Sequence, residues 1–329
     1  MRIFRMMAVF MMMGLCCAYA EEAGPAQSGK GITVYFDTGG PVGGPYNTIV
    51  QNGAMQAAAD MGCTVHYVYS DWSPEKVVEN FKNSLVAKPD GIVLMGLPGD
   101  DALSPFIKEA MDKGILVTCV DTNLPKTLAQ YKSRGFGFIG TDYDVQGTVL
   151  TKEALSRSGL KKGDRAFVWG LKRMEDRGRR ARAIIRTLEE AGLTVDYMEI
   201  SPEADKDSAM GTPIVTAYMA AHPDCKLMII DHGALTSQME NFLKAAGVKP
   251  DDIYVAGFSL SPATATAIES GYVDLVSEMQ PYLLGYLSVA QIVLSKRYGF
   301  TGLEIDTGGG LVHKDNIGLI APLAKKGIR

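Results

Sequence analysis

The chain is poor in residues that staple or metallate small proteins. It carries five cysteines and four histidines in 329 residues, and none falls at the short Cys/His spacings that hold a metal. Cys16 and Cys17 lie in an N-terminal apolar stretch, where Leu15 replaces the small residue that precedes a lipid-bearing cysteine. Cys63, Cys119 and Cys225 are odd in number and widely spaced. Cys119 lies in the apolar run 115–120 and Cys225 precedes another, which predicts small buried hydrophobes rather than a disulfide framework. A strong charge of one sign is also missing. The net charge of -4 argues against a nucleic-acid footprint and gives no reason for a membrane-surface role. Nothing reaches the roughly 18 uninterrupted apolar residues of a membrane span. A nucleophile elbow (G-x-S-x-G), a P-loop and G-x-G-x-x-G are all absent, as are low-complexity tracts and short repeats.

The first twenty residues are informative. Arg2 and Arg5 precede an apolar run at 6–15, and Ala18-Tyr19-Ala20 places small residues at the two positions a signal peptidase reads, before Glu21-Glu22. The expectation is a signal peptide at 1–20, a flexible lead-in at 21–30, and a soluble protein released into the periplasm. Its function must then proceed without ATP or reduced nicotinamide. An apolar content of 47% and a charged content of 21% fit a globular chain long enough for two domains.

After the lead-in, short apolar runs alternate with helix-patterned segments. Strands are predicted over 32–36, 64–69, 91–95, 115–120 and 136–139, then over 165–169, 194–200, 227–230, 253–256 and 273–276. Helices are predicted over 46–61, 74–86, 101–113, 143–158, 176–191, 207–221, 235–246, 262–270 and 281–298, several of them closed by glycine. Strands apolar on both faces and separated by helices imply parallel sheets covered on both sides. Two sets of about five units imply an α/β protein of two doubly wound, Rossmann-like lobes. The expected division is 31–141 plus 280–307 for the first lobe and 142–279 plus 308–329 for the second. Crossings are expected near 121–141, 258–261 and 277–280, with a final one near Thr307-Gly308.

Ligands of such sheets lie beyond the carboxyl ends of the strands. The residues there include Asp37, the glycine-rich loop 39–45 with Tyr46 and Asn47, Asp71-Trp72, Asp100, Asp121-Thr122-Asn123 and Thr141-Asp142-Tyr143. The second half adds Lys172 to Arg177, Asp231-His232, Phe258-Ser259 and Glu278-Met279-Gln280. Aromatic rings with carboxylates, amides and a guanidinium suit the C–H face and hydroxyls of a sugar or polyol. Asp, Asn, Ser and Gly also favour turns and caps, so position alone does not separate contacts from turn residues. The loop 39–45 reads as a stiff turn bringing backbone close to a ligand. Of the basic run Arg173, Arg177, Arg179, Arg180, Arg182 and Arg186, most read as a solvated helix face with one turned inward. His232 has no nucleophile motif beside it and reads as a hydrogen-bonding residue.

The Pro-aromatic loop, Val120-Asp121, Ile139-Gly140-Thr141-Asp142, Ala221-His222-Pro223-Asp224, Val255-Ala256-Gly257-Phe258 and Gln280-Pro281-Tyr282 resemble the ribose-binding (type 1) family of periplasmic sugar-binding proteins, in order and over nearly the whole mature chain. The resemblance implies two lobes with a three-stranded hinge and a role delivering a small sugar to an ABC permease. It places Tyr46 and Asn47 at the ring-stacking loop, Asp121 at a hydroxyl-binding carboxylate and Arg177 at the second lobe's arginine. Thr122, Tyr143, His232 and Ser259 stand where the family carries arginine, asparagine, asparagine and aspartate. Met279 stands at the family's hinge glutamine, with Gln280 and Glu278 beside it. With Trp72 and Asn123 these complete the expected site: Tyr46, Asn47, Trp72, Asp121, Asn123, Tyr143, Arg177, His232, Ser259 and Gln280. Asp100 looks like a further pocket residue. The expected protein is a monomeric carrier with no catalytic residue, cofactor or metal. One rival is a sensor whose closed form docks on a chemoreceptor or sensor kinase. A second is a secreted hydrolase using paired carboxylates among Asp37, Asp71, Asp100 and Asp121. A repressor on the same fold is excluded by the leader and by the lack of a helix-turn-helix ahead of Ile32.

Overall fold

Buried, two-faced apolar strands such as Gly91–Met95, in which every residue is inaccessible to solvent, must be covered on both sides, and helices cover them here. The computed structural model describes residues 27–174 and 176–329, so the expected signal peptide and the expected lead-in up to residue 26 lie outside the described residues. In chain order the strands are β1 (Thr33–Asp37), β2 (Thr64–Val68), β3 (Gly91–Met95), β4 (Leu116–Asp121), β5 (Gly137–Gly140) and β6 (Arg165–Gly170). They continue as β7 (Thr194–Glu199), β8 (Cys225–Ile230), β9 (Tyr254–Phe258), β10 (Leu275–Glu278), β11 (Glu304–Asp306) and β12 (Gly310–His313). Two six-stranded sheets form, in the orders β11-β5-β4-β3-β1-β2 and β12-β10-β9-β8-β6-β7. The pairings are parallel except for β12, which runs antiparallel to β10. The order reverses beside β1 in one sheet and beside β6 in the other, so each sheet opens a crevice at its carboxyl edge.

The chain passes between the sheets after β5, after β10 and between β11 and β12. Nothing crosses at 258–261, contrary to expectation. β9 and β10 are neighbours, and the Ser259 N–H donates to the Ser277 carbonyl at 2.9 Å, which keeps that loop on its own sheet. The end of the lead-in is also not loose. Gly29 N–H donates to Met61 O at 2.7 Å, and Arg297 donates to the carbonyls of Ser28 and Lys30 at 2.8 and 3.0 Å. Cys119 and Cys225 are buried and free, and Cys63 is half-buried and free. Among the described residues no helix is long and apolar enough to cross a membrane.

After the second passage the helix Pro281–Tyr298 returns to the first sheet and packs on the helix Pro45–Met61. Two glycines allow the approach: a Cβ on Gly53 would lie 1.9 Å from the Tyr282 carbonyl oxygen, and one on Gly285 1.9 Å from that of Val50. Backbone cannot yield as a side-chain tip can. Gly53→Leu is therefore expected to destabilise the protein by about 3 kcal/mol or more, read as a fall in Tm. An unchanged Tm would mean the helices separate at little cost.

Candidate ligand-binding cleft

Seven described non-glycine residues adopt positive φ: Asp71, Trp72, Lys88, Asp121, Asp251, Ser259 and Gln280. Five of them end strands or lie in the loops just beyond their carboxyl ends, and Trp72, Asp121, Ser259 and Gln280 belong to the expected site. Left-handed backbone on such residues persists only where surrounding structure enforces it, and it clusters at functional sites.

Asp121, at the end of β4, is the centre of the first lobe's wall. Its Oδ1 accepts from the Tyr46 hydroxyl at 2.8 Å. Its Oδ2 accepts from Thr122 Oγ1 at 3.2 Å and from the Tyr143 hydroxyl at 3.3 Å. Tyr46 opens the helix Pro45–Met61, whereas Tyr143 opens the helix Tyr143–Ser158 just after the first passage. Burial and the Asp121 charge push both phenol pKa values up, so both hydroxyls remain neutral donors. The Trp72 ring, 44% exposed, lies 5.8 Å from Tyr46 at a tilt of 49°. The Trp72 backbone N–H donates to Gly39 O at 2.8 Å. A Cβ on Gly40 would stand 2.9 Å from the indole, so the glycine-rich loop is bare where Trp72 lies on it. Asn47 turns beneath the same loop: it is 1% exposed and its Nδ2 donates to Pro41 O at 2.6 Å.

The second lobe supplies guanidinium groups. Arg177 stands just ahead of the helix Gly178–Glu190, and its Nη1 and Nη2 donate to Asp231 Oδ2 at 3.0 Å and to the Asp231 carbonyl at 2.7 Å. Arg180 donates from Nε to Asp231 Oδ1 at 2.5 Å and from Nη1 to Gln146 Oε1 at 2.7 Å. Both guanidiniums face the Tyr143 ring, at 5.6 and 5.5 Å. Burial alone would raise the Asp231 pKa, but the two arginines hold it below the usual carboxylate range. Asp231 is one of the strand-end residues noted in the sequence but stands outside the expected site, and Arg180 lies in the basic run of which most members are expected on a solvated face and one inward. The available signal was helical spacing: Arg180 shares a buried stripe with Ala181, Ile184, Thr187 and Leu188.

Other expected residues are engaged in the framework. His232 caps the short helix Gly233–Thr236 and pairs through Nε2 with Asp205 at 3.0 Å. Gln280 donates to Thr307 O at 2.9 Å, tying two passages together. The Ser259 side chain lies against Gly233. Asn123 leaves a buried Oδ1 without a protein partner. It lines a pocket of about 120 Å³ with Tyr143, Asp176 and Arg179 on the hinge side. Asp100 is not a pocket residue, because its carboxylate accepts from Lys126 N, Thr127 N and Thr127 Oγ1 and so caps the helix Pro125–Tyr131. Asp37 is buried, accepting from Gly39 N, Ser70 and Asn80, and burial raises its pKa. Asp71 pairs with Lys76 at the surface. A larger groove of about 780 Å³, lined by Lys82, Phe106, Lys113 and Lys296 among others, lies at the amino ends of β3 and β4 and includes none of the cleft residues.

Known proteins share this architecture. The xylose/arabinose-binding protein XylF of Sulfolobus acidocaldarius is 24% identical over 289 residues, covering 83% of this chain and 69% of that protein. The D-ribose/D-allose-binding protein of Pseudomonas aeruginosa is 25% identical over 191 residues, 57% of each. A carbohydrate transporter from Acidothermus cellulolyticus, solved with myo-inositol, superposes with a TM-score of 0.73 at 24% identity, over 91% of this chain and 99% of that one. A solute-binding protein from Burkholderia graminis, solved with D-arabinose, gives 0.74 at 22% identity, over 87% and 96%. These structures establish the shared fold. The model of the periplasmic binding protein domain matches residues 39–295, and the chain belongs to that family.

Proposed function

We propose that this protein captures a small neutral sugar or polyol between its lobes and delivers it to an ATP-driven permease from the periplasm. The observation that carries the reading is the Asp121 carboxylate, ringed by Tyr46, Thr122 and Tyr143 hydroxyls, opposite a partly exposed Arg177 held by the buried Asp231–Arg180 pair. Sugar hydroxyls both donate and accept, so one ligand satisfies a carboxylate on one wall and a guanidinium on the other. The formal charges of Asp121, Asp231, Arg177 and Arg180 cancel, which suits a neutral ligand. Contacts from both walls favour the closed form, the state a permease would recognise. Relatives that bind pentoses and hexoses by name support the same class. Hydrolysis would need two free carboxylates across a bond, whereas Asp37, Asp71 and Asp100 are each committed to local framework contacts.

Thermal unfolding of the mature protein against sugars, sugar alcohols and nucleosides tests the reading. A ligand at about 100 times its Kd adds about 2.7 kcal/mol, a rise of several degrees in Tm. One compound that does so and is recovered intact supports a carrier and names its ligand. No shift across the panel would overturn the sugar reading.

A further inference from the structure

Arg180 is 4% exposed, yet it is a full charge on a helix otherwise buried through Ala181, Ile184 and Leu188. A buried charge is tolerated only when it is paired and its donors are used. Its guanidinium meets two separate acceptors, Asp231 Oδ1 from Nε at 2.5 Å and Gln146 Oε1 from Nη1 at 2.7 Å. Its face lies 3.8 Å from the Phe258 ring centre. Arg177 Nη1 stands 3.0 Å from both oxygens of the same fully buried Asp231 carboxylate, so the two guanidiniums share it. On the other side, Gln146 Nε2 donates to Ser277 Oγ at 3.0 Å, and Ser277 lies on β10, two residues before the second passage begins.

We propose that Arg180 is a positioning residue: through the shared Asp231 carboxylate it fixes the guanidinium of Arg177, and through Gln146 and Ser277 it anchors that guanidinium to the strand entering the hinge. The inference rests on the reading of Arg177 as a ligand contact. Arginine suits this role, because its rigid guanidinium spreads donors in fixed directions toward two separate acceptors, whereas a lysine offers donors from one compact nitrogen. The continuous chain from Arg177 to β10 makes the ligand-facing wall and the start of the hinge one rigid body. A sugar then meets a guanidinium already in place and loses less affinity to ordering it.

The test uses the full mature chain with Arg180→Met and Arg180→Lys. The first readout needs no ligand: the proton–nitrogen resonance of Arg177 Nε–H, identified by its loss in Arg177→Lys. The wild type should show a dispersed, slowly exchanging signal, and both variants should move it to the averaged position of free arginine side chains. The second readout is affinity for the sugar found by thermal shift. Arg180→Met should weaken it at least ~30-fold, and Arg180→Lys ~10-fold while restoring Tm. An unchanged Arg177 resonance, or affinity within about twofold of wild type, in a folded variant overturns the proposal. If Arg180→Met does not fold, Arg180→Lys decides. If no sugar binds the wild type, the functional reading fails and the resonance alone decides whether Arg180 positions Arg177.

Discussion

Replacing Asp121 by asparagine is expected to weaken ligand binding ~30–100-fold while leaving Tm within a few degrees of wild type. The carboxylate is the one formal charge that the first lobe's wall brings to the Tyr46–Tyr143 cluster, and the protein groups bonded to it are hydroxyls. Each hydroxyl can rotate to accept, so a sugar can enter the ring of donors without leaving a buried group unpaired. A charge-assisted hydrogen bond contributes about 1.5–3 kcal/mol, and the amide would retain one acceptor oxygen but lose the charge. Asparagine is the informative substitution because it tolerates the left-handed backbone that Asp121 holds at φ 66°. Alanine there would add backbone strain to the loss of both oxygens, so Asp121→Ala should abolish binding at a modest further cost in Tm. Titration calorimetry on the two variants, with thermal unfolding alongside, measures both quantities. Wild-type affinity in Asp121→Asn would remove this carboxylate from the site and leave the cleft assignment without its centre.

What the sequence disclosed follows from how much signal each element carries. β3 and the helices Pro74–Val86, Tyr143–Ser158 and Pro281–Tyr298 have the predicted bounds, because continuous apolar runs and caps define them. β11 and β12 have three and four residues, too short for a period to show, and they define the third passage. The predicted helix over 235–246 is instead two pieces, Gly233–Thr236 and Met239–Ala245. The crossing expected near 258–261 is absent because β9 and β10 pair as neighbours and the Ser259 N–H is held by β10. The site was harder to read than the fold. Asp100 and Asp121 both follow strands, and the deciding fact is three-dimensional: the amides and hydroxyl of 126–127 reach one, and two tyrosine hydroxyls reach the other. The basic run is expected to turn one arginine inward, and the apolar neighbours of Arg180 on the helix mark it as the buried one.

The second large effect concerns stability. Asp231→Asn is expected to destabilise the second lobe by about 3–5 kcal/mol at neutral pH, because it leaves the buried Arg180 guanidinium and the partly exposed Arg177 guanidinium without a counter-charge. The new amide also turns an N–H₂ toward groups that are themselves only donors. The carboxylate is fully buried and held below its usual pKa by Arg177 and Arg180. In the unfolded chain it returns to about 3.9. The unfolded state therefore binds the proton first on acidification. The stability that Asp231 contributes is fully present above about pH 4 and is lost as pH falls from there toward the folded value. Asparagine has no such dependence, so the gap between wild type and variant should be widest at neutral pH and narrow below about pH 4. Trp169 is a suitable reporter, being fully buried on β6 in the same lobe. Urea unfolding followed by its fluorescence, in a Trp72→Phe background, reads the second lobe. A variant as stable as wild type at neutral pH would show that the two arginines do not depend on Asp231. A gap that stays constant down to about pH 2 would show that the carboxylate's pKa is not lowered by folding.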